Sequence, residues 1–80
     1  MHPDASIAEA LPRVYRRVLD SVETLERRGG RDEASRLRRQ AITVYSGAWD
    51  AKSHRRLEEI ATRAELAARD QERRGGPRAA

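Results

Sequence analysis

The chain has no cysteine, no phenylalanine and no asparagine, and among its 80 residues only one lysine, one tryptophan and two tyrosines. Without cysteine, neither a disulfide nor a thiolate metal site can form. A chain this short buries a modest share of its surface, so it must rely on helix packing or self-association for stability. The two histidines, His2 and His54, lie too far apart in sequence to suggest a ligand pair. No apolar run approaches the ~18 residues that would read as a membrane span. The opening Met1-His2-Pro3-Asp4 lacks the basic and apolar stretches of a secretory signal. A cytoplasmic protein without a membrane partner is the expectation.

Catalysis finds little support in what is present. His54 follows Asp50 by four residues, and such a pair can orient an imidazole for general-base work. It is equally an ordinary pair on a helix surface, and no serine or cysteine stands out as a nucleophile. Glu58 and Glu59 are adjacent, so on a helix they point about 100° apart rather than converging. Phosphate-binding glycine loops and paired metal-ligand histidines are missing. The sequence therefore predicts a non-catalytic chain with no cofactor, no metal and no small-molecule substrate.

What is abundant is arginine and alanine. Sixteen of the 17 basic residues are arginine, 13 residues are alanine, and the formal net charge is +4. Coding-sequence composition can supply part of such a bias, and the charge is spread out. Residues 1–30 are neutral overall, residues 31–46 carry +2, residues 47–74 carry +1, and Arg78 adds the last. No segment reads as a polybasic arm.

Glycine pairs punctuate the chain. Arg27-Arg28-Gly29-Gly30 and Arg73-Arg74-Gly75-Gly76-Pro77 both place arginine before glycine, as helix C-termini do. Between these stops the apolar residues recur at helical spacing. Leu11, Val14, Val18, Val22 and Leu25 form one stripe, flanked by Ile7, Tyr15 and Leu19. Ser6 and Glu9 have the form of a capping box, yet Pro12 suits a first helical position better than an interior one. The expectation is a short turn within a lead-in over residues 1–11 and a helix from 12 to 28.

The second stripe is Ala34, Leu37, Ala41, Val44, Tyr45 and Ala48; the third is Trp49, Leu57, Ile60, Ala64, Ala67 and Ala68. Ser46-Gly47 falls between them, after the weak helix formers Thr43, Val44 and Tyr45. Helices near 31–46 and 48–73 would then close an all-α three-helix bundle around Tyr15, Leu37, Tyr45, Trp49 and Leu57, with a disordered tail at 75–80. If the helix instead ran unbroken past Gly47, the result would be a long antiparallel hairpin. Its exposed stripe would need a second chain, giving a homodimer. Six acid-to-base pairs at i,i+4 flank these stripes, among them Glu23–Arg27, Asp32–Arg36, Glu59–Arg63, Glu65–Arg69 and Asp70–Arg74.

Two functions follow from the surfaces left over. The first is a protein-interaction or self-association module, with Tyr45, Trp49, Leu57 and Ile60 as the contact residues, because tryptophan, tyrosine and arginine dominate binding hot spots. The alternative is a helix-turn-helix-like nucleic-acid binder, in which Ser46-Gly47 is the turn. Arg38 and Arg39 would then touch phosphate, and Lys52, Arg55 and Arg56 would lie early in the recognition helix.

Overall fold

A computed structural model describes residues 3–75, with side chains for residues 6–74. It contains three helices, α1 (Pro3–Arg27), α2 (Arg31–Tyr45) and α3 (Ala51–Gly75). No strand occurs among the described residues. The chain runs up, down and up. Arg17 pairs with Glu65 and Arg28 with Glu72, so the partners ascend together and α1 lies parallel to α3. The three-helix bundle is therefore the architecture, and the long hairpin is not.

The core is built from unequal contributions. Helix α1 supplies bulk through Leu11, Val14, Val18, Val22 and Leu25, all buried. Helix α2 adds Ala34, Leu37 and Ala41, and α3 adds Leu57, Ile60, Ala61, Ala64 and Ala68. Alanine on two of the three helices lets their backbones approach the larger side chains of α1 without leaving voids. Ile7, Tyr15, Val44, Tyr45 and Ala67 pack against this core while half-buried.

Helix α1 starts nine residues earlier than expected. Pro12 lies inside it, exposed, and the Ser6–Glu9 capping box lies in mid-helix instead of at a terminus. Interior proline is unfavourable by about 3 kcal/mol. Burial of Leu11 and partial burial of Ile7 on the same face offset that penalty. Of the ends expected to be irregular, residues 3–5 and Gly75 are helical, while residues 1–2 and 76–80 lie outside the described residues.

The first turn is a Schellman motif. Gly29 has φ +102°, its N–H donates to the Glu26 carbonyl at 3.1 Å, and the Gly30 N–H donates to the Leu25 carbonyl at 2.9 Å. These two bonds satisfy carbonyls that the end of α1 would otherwise leave bare. Helix α3 clamps this turn from the side. The Arg28 guanidinium donates to the Glu72 carboxylate at 2.9 Å and the Ala68 carbonyl at 3.3 Å, and the Gln71 amide donates to the Arg28 carbonyl at 3.1 Å.

The second break is wider than a turn at Ser46-Gly47. Helix α2 stops at Tyr45 and α3 begins only at Ala51. Asp50 decides the restart: its carboxylate accepts the Ser53 N–H at 2.8 Å and its carbonyl accepts the His54 N–H at 2.9 Å, the two bonds of an N-cap residue. Of the i,i+4 ion pairs read from the sequence, Glu23–Arg27 and Asp70–Arg74 form. Glu65 instead reaches across to α1, where both of its oxygens accept from Arg17 at 3.1 Å.

Candidate functional site

The connection between α2 and α3 carries the most distinctive chemistry. Helix α2 has 15 residues against 25 in each neighbour, and it reaches back along α1 only as far as Tyr15. There the Tyr15 and Tyr45 rings stack with centroids 4.2 Å apart and planes within 1°. Trp49 extends the stack, its ring 5.1 Å from that of Tyr45 and tilted by 37°. The Trp49 indole N–H donates to the Tyr45 carbonyl at 2.6 Å, which satisfies one of the free carbonyls at the end of α2. Sequence placed Trp49 at the centre of the bundle; it lies outside, 38% exposed. One helical turn before Tyr45, Ile42 is 43% exposed, so the aromatic row continues as an apolar strip on the flank of α2 that faces α1.

Two of the four predicted contact residues belong elsewhere. Leu57 is fully buried and Ile60 nearly so, both in the core. They were candidates because a continuous α2–α3 helix would have left them bare. The break at residues 46–50 folds α3 back and covers them, so only Tyr45 and Trp49 of the four remain candidates for a contact. Ile42 was missed. It falls off the buried stripe by one position, and only the packing of α2 against α1 shows that it stands beside Tyr45.

Of the five basic residues proposed for nucleic acid, only Arg39 and Arg56 border connected concavities. Arg38 turns towards α1 and its guanidinium donates to Glu26 at 3.2 Å. Arg55 and Arg56 line different concavities, the first with Arg17 and Leu66, the second with Gln40 and Thr43. Arg39 and Lys52 are exposed. A helix-turn-helix also needs a turn of three or four residues, whereas five residues, 46–50, separate these helices.

The His54 ring and the Asp50 carboxylate have separate partners. The Asp50 carboxylate is held by the Ser53 N–H, the main reason its pKa lies below the ordinary carboxylate value. The His54 ring faces Glu58 at 3.8 Å instead. Arg17 is held above the ordinary arginine value, chiefly by its hydrogen bonds to Glu65, so its charge is fixed at any accessible pH. Among the described residues, no cluster of three or more histidines or acids could hold a metal ion. No helix there is long and apolar enough to cross a membrane.

A concavity of about 700 Å³ runs along α3 between Arg17, Arg55, Glu58, Glu59, Thr62, Arg63 and Leu66. Its volume is in the range of ligand sites, but such sites are mostly apolar. This one is a channel between charges of both signs, with Leu66 as its one large apolar side chain. Compared with protein families, with curated proteins and with solved structures, the chain matches none. Function is therefore read from side-chain chemistry alone.

Proposed function

We propose that this chain is a non-catalytic, cytoplasmic protein-interaction module that docks through the Ile42–Tyr45–Trp49 strip. The observation that carries the reading is the state of Trp49. The only tryptophan of the chain stands outside the core, yet it is immobilised by a hydrogen bond to Tyr45 and by contact with a stacked tyrosine pair. Fixing a flexible side chain on binding costs about 0.5–1.5 kcal/mol. An aromatic anchor already fixed in the free protein avoids that loss, and central aromatic anchors supply most of the energy of typical interfaces. Exposed, rigid and apolar together describe an anchor better than a core residue.

Self-association is the form of this function that the chain can display by itself. Light scattering from micromolar to millimolar concentration, with Trp49 emission recorded in parallel, should show a dimer whose appearance tracks a blue shift of the indole. Ile42→Glu should suppress both signals and leave the helix content unchanged. A dimer that forms equally well with Ile42→Glu and Trp49→Ala would place the contact elsewhere and defeat the reading.

A further inference from the structure

The opposite flank of α2 differs in kind. Between α2 and α3 runs a groove of about 320 Å³ lined by Gln40, Thr43, Val44, Arg56, Glu59, Ile60 and Arg63. It continues over Gln40 and Thr43 to Arg36 and Arg39. Arg56 and Arg63 line the groove and Arg36 and Arg39 its extension on α2; with Glu59 in the groove and Glu33 beside Arg63 in the next concavity, these residues carry a net charge of +2 out of +4 for the whole chain. The sequence hides this concentration because the four come from two helices and are separated by up to 27 positions.

None of the four makes an ion pair among the described residues. The ion pairs among the described residues engage Arg17, Arg27, Arg28, Arg38 and Arg74. Arg36, Arg39, Arg56 and Arg63 make none, although Asp32 and Glu59 sit four residues ahead of Arg36 and Arg63. The floor is closed: Ile60 is buried, and the Thr43 hydroxyl donates to the Arg39 carbonyl at 2.9 Å. The groove therefore offers four guanidinium forks and the Gln40 amide as donors.

We propose that this groove and its extension form a sequence-independent site for the phosphate backbone of duplex DNA, with Arg56 and Arg63 on α3 and Arg36 and Arg39 on the adjoining surface of α2. Guanidinium groups bind phosphate oxygens through two parallel hydrogen bonds. Arg56 and Arg63 are seven residues apart, about 10 Å along α3, while one DNA strand presents a phosphate about every 3.4 Å of axis. Because the strand winds about the axis, its successive phosphates lie about twice that far apart along the strand, and this arginine pair reaches about two of them. An acidic peptide fits less well, because peptides anchor through apolar side chains and no exposed large apolar residue lines the groove. A single strand fits less well for a related reason: its bases need aromatic platforms, and Tyr15, Tyr45 and Trp49 all lie in the stack at the other flank.

The test is titration of the full chain with a random-sequence DNA duplex at several salt concentrations. Four phosphate contacts predict a fall in log affinity against log salt with a slope of about −3 to −4. Arg56→Gln with Arg63→Gln should flatten the slope to about −2 and weaken binding at low salt about tenfold or more. Glu59→Gln removes the acid that lines the groove and should tighten binding several-fold, an effect that a folding defect cannot imitate. Arg13→Gln with Arg16→Gln removes the same charge from the exposed face of α1 and should change affinity far less. The proposal is overturned if no duplex binds at low salt, or if the α1 and groove variants lose affinity equally. Tighter binding of polyglutamate than of the duplex would also overturn it.

Discussion

Gly30 is where one added methyl group should matter most. It follows the Schellman turn and opens α2, with φ −89° and ψ 52°. Negative φ leaves the backbone open to any residue; the obstacle is space. A Cβ at position 30 would stand 2.5 Å from Leu25 Cδ1 and 2.9 Å from Leu25 Cγ, where carbon atoms settle at about 3.5–4.0 Å. The isobutyl group would have to retreat by about 1 Å, and Leu25 is fully buried. Overpacking of this kind costs about 1–3 kcal/mol. Reduced freedom of the unfolded chain returns about 0.4–1 kcal/mol. Gly30→Ala should therefore destabilise by about 1–2 kcal/mol net, lowering the midpoint by about 4–8 °C for each kcal/mol.

A double-mutant cycle makes this specific. Leu25→Ala alone should cost about 2–5 kcal/mol by opening a cavity. In that background the alanine methyl at position 30 enters vacated space, so the clash disappears. The pair should cost less than the sum of its parts by about 1 kcal/mol or more. Thermal and urea unfolding followed by far-UV circular dichroism would measure all four corners. Gly47→Ala is the control, since a Cβ there meets only the Thr43 and Val44 carbonyl oxygens at 3.5 and 3.6 Å, and it should be neutral or slightly stabilising. Additive effects of Gly30→Ala and Leu25→Ala, or a Gly30→Ala protein as stable as the parent, would refute the packing argument.

Other expectations are simpler. Leu57→Ala should destabilise by about 2–5 kcal/mol at every protein concentration, as a core residue does and an interface residue does not. Arg17→Gln should cost no more than about 1 kcal/mol, because the pair with Glu65 is well exposed, and high salt should erase the difference. Asp50 has a lowered pKa in the folded chain, so its stabilising contribution is complete above the ordinary carboxylate value of about 3.9. That contribution fades as pH falls through the depressed folded value. Asp50→Asn, which still caps a helix, should preserve stability near neutrality and flatten the acid limb of a pH–stability profile.

The stripes were legible because burial repeats at the helical period. Every core residue of α1 and α2 falls in them, as do Leu57, Ile60, Ala64 and Ala68 of α3. The helix ends were less so, for opposite reasons. Pro12 carried a strong local signal for a helix start, and tertiary burial of Leu11 overrode it. Asp50 carried a sound N-cap signal, three residues ahead of Ser53, that the continuing apolar phase through Ala48 and Trp49 concealed. Arg39 and Arg56 were sequence candidates for nucleic acid, but their grouping with Arg36 and Arg63 could not be found by any reading along one helix. Their juxtaposition depends on how α2 and α3 lie side by side, which periodicity does not determine.

The five residues from Ser46 to Asp50 decide what both surfaces can be. Had α2 continued into α3, the Tyr45 carbonyl would have gone to a backbone N–H, and the Trp49 indole would have had no claim on it. Leu57 and Ile60 would then have been the exposed apolar stripe, and a second chain would have been needed to cover them. The break reverses these roles. It turns Leu57 and Ile60 into core, exposes Trp49 as a ledge on one flank of α2, and on the other sets Arg56 and Arg63 along a groove that continues to Arg36 and Arg39. The two proposed contacts are thus separable by mutation: Ile42→Glu should leave DNA binding intact, and Arg56→Gln with Arg63→Gln should leave self-association intact. Loss of both activities from either change would mean that a single surface serves for both.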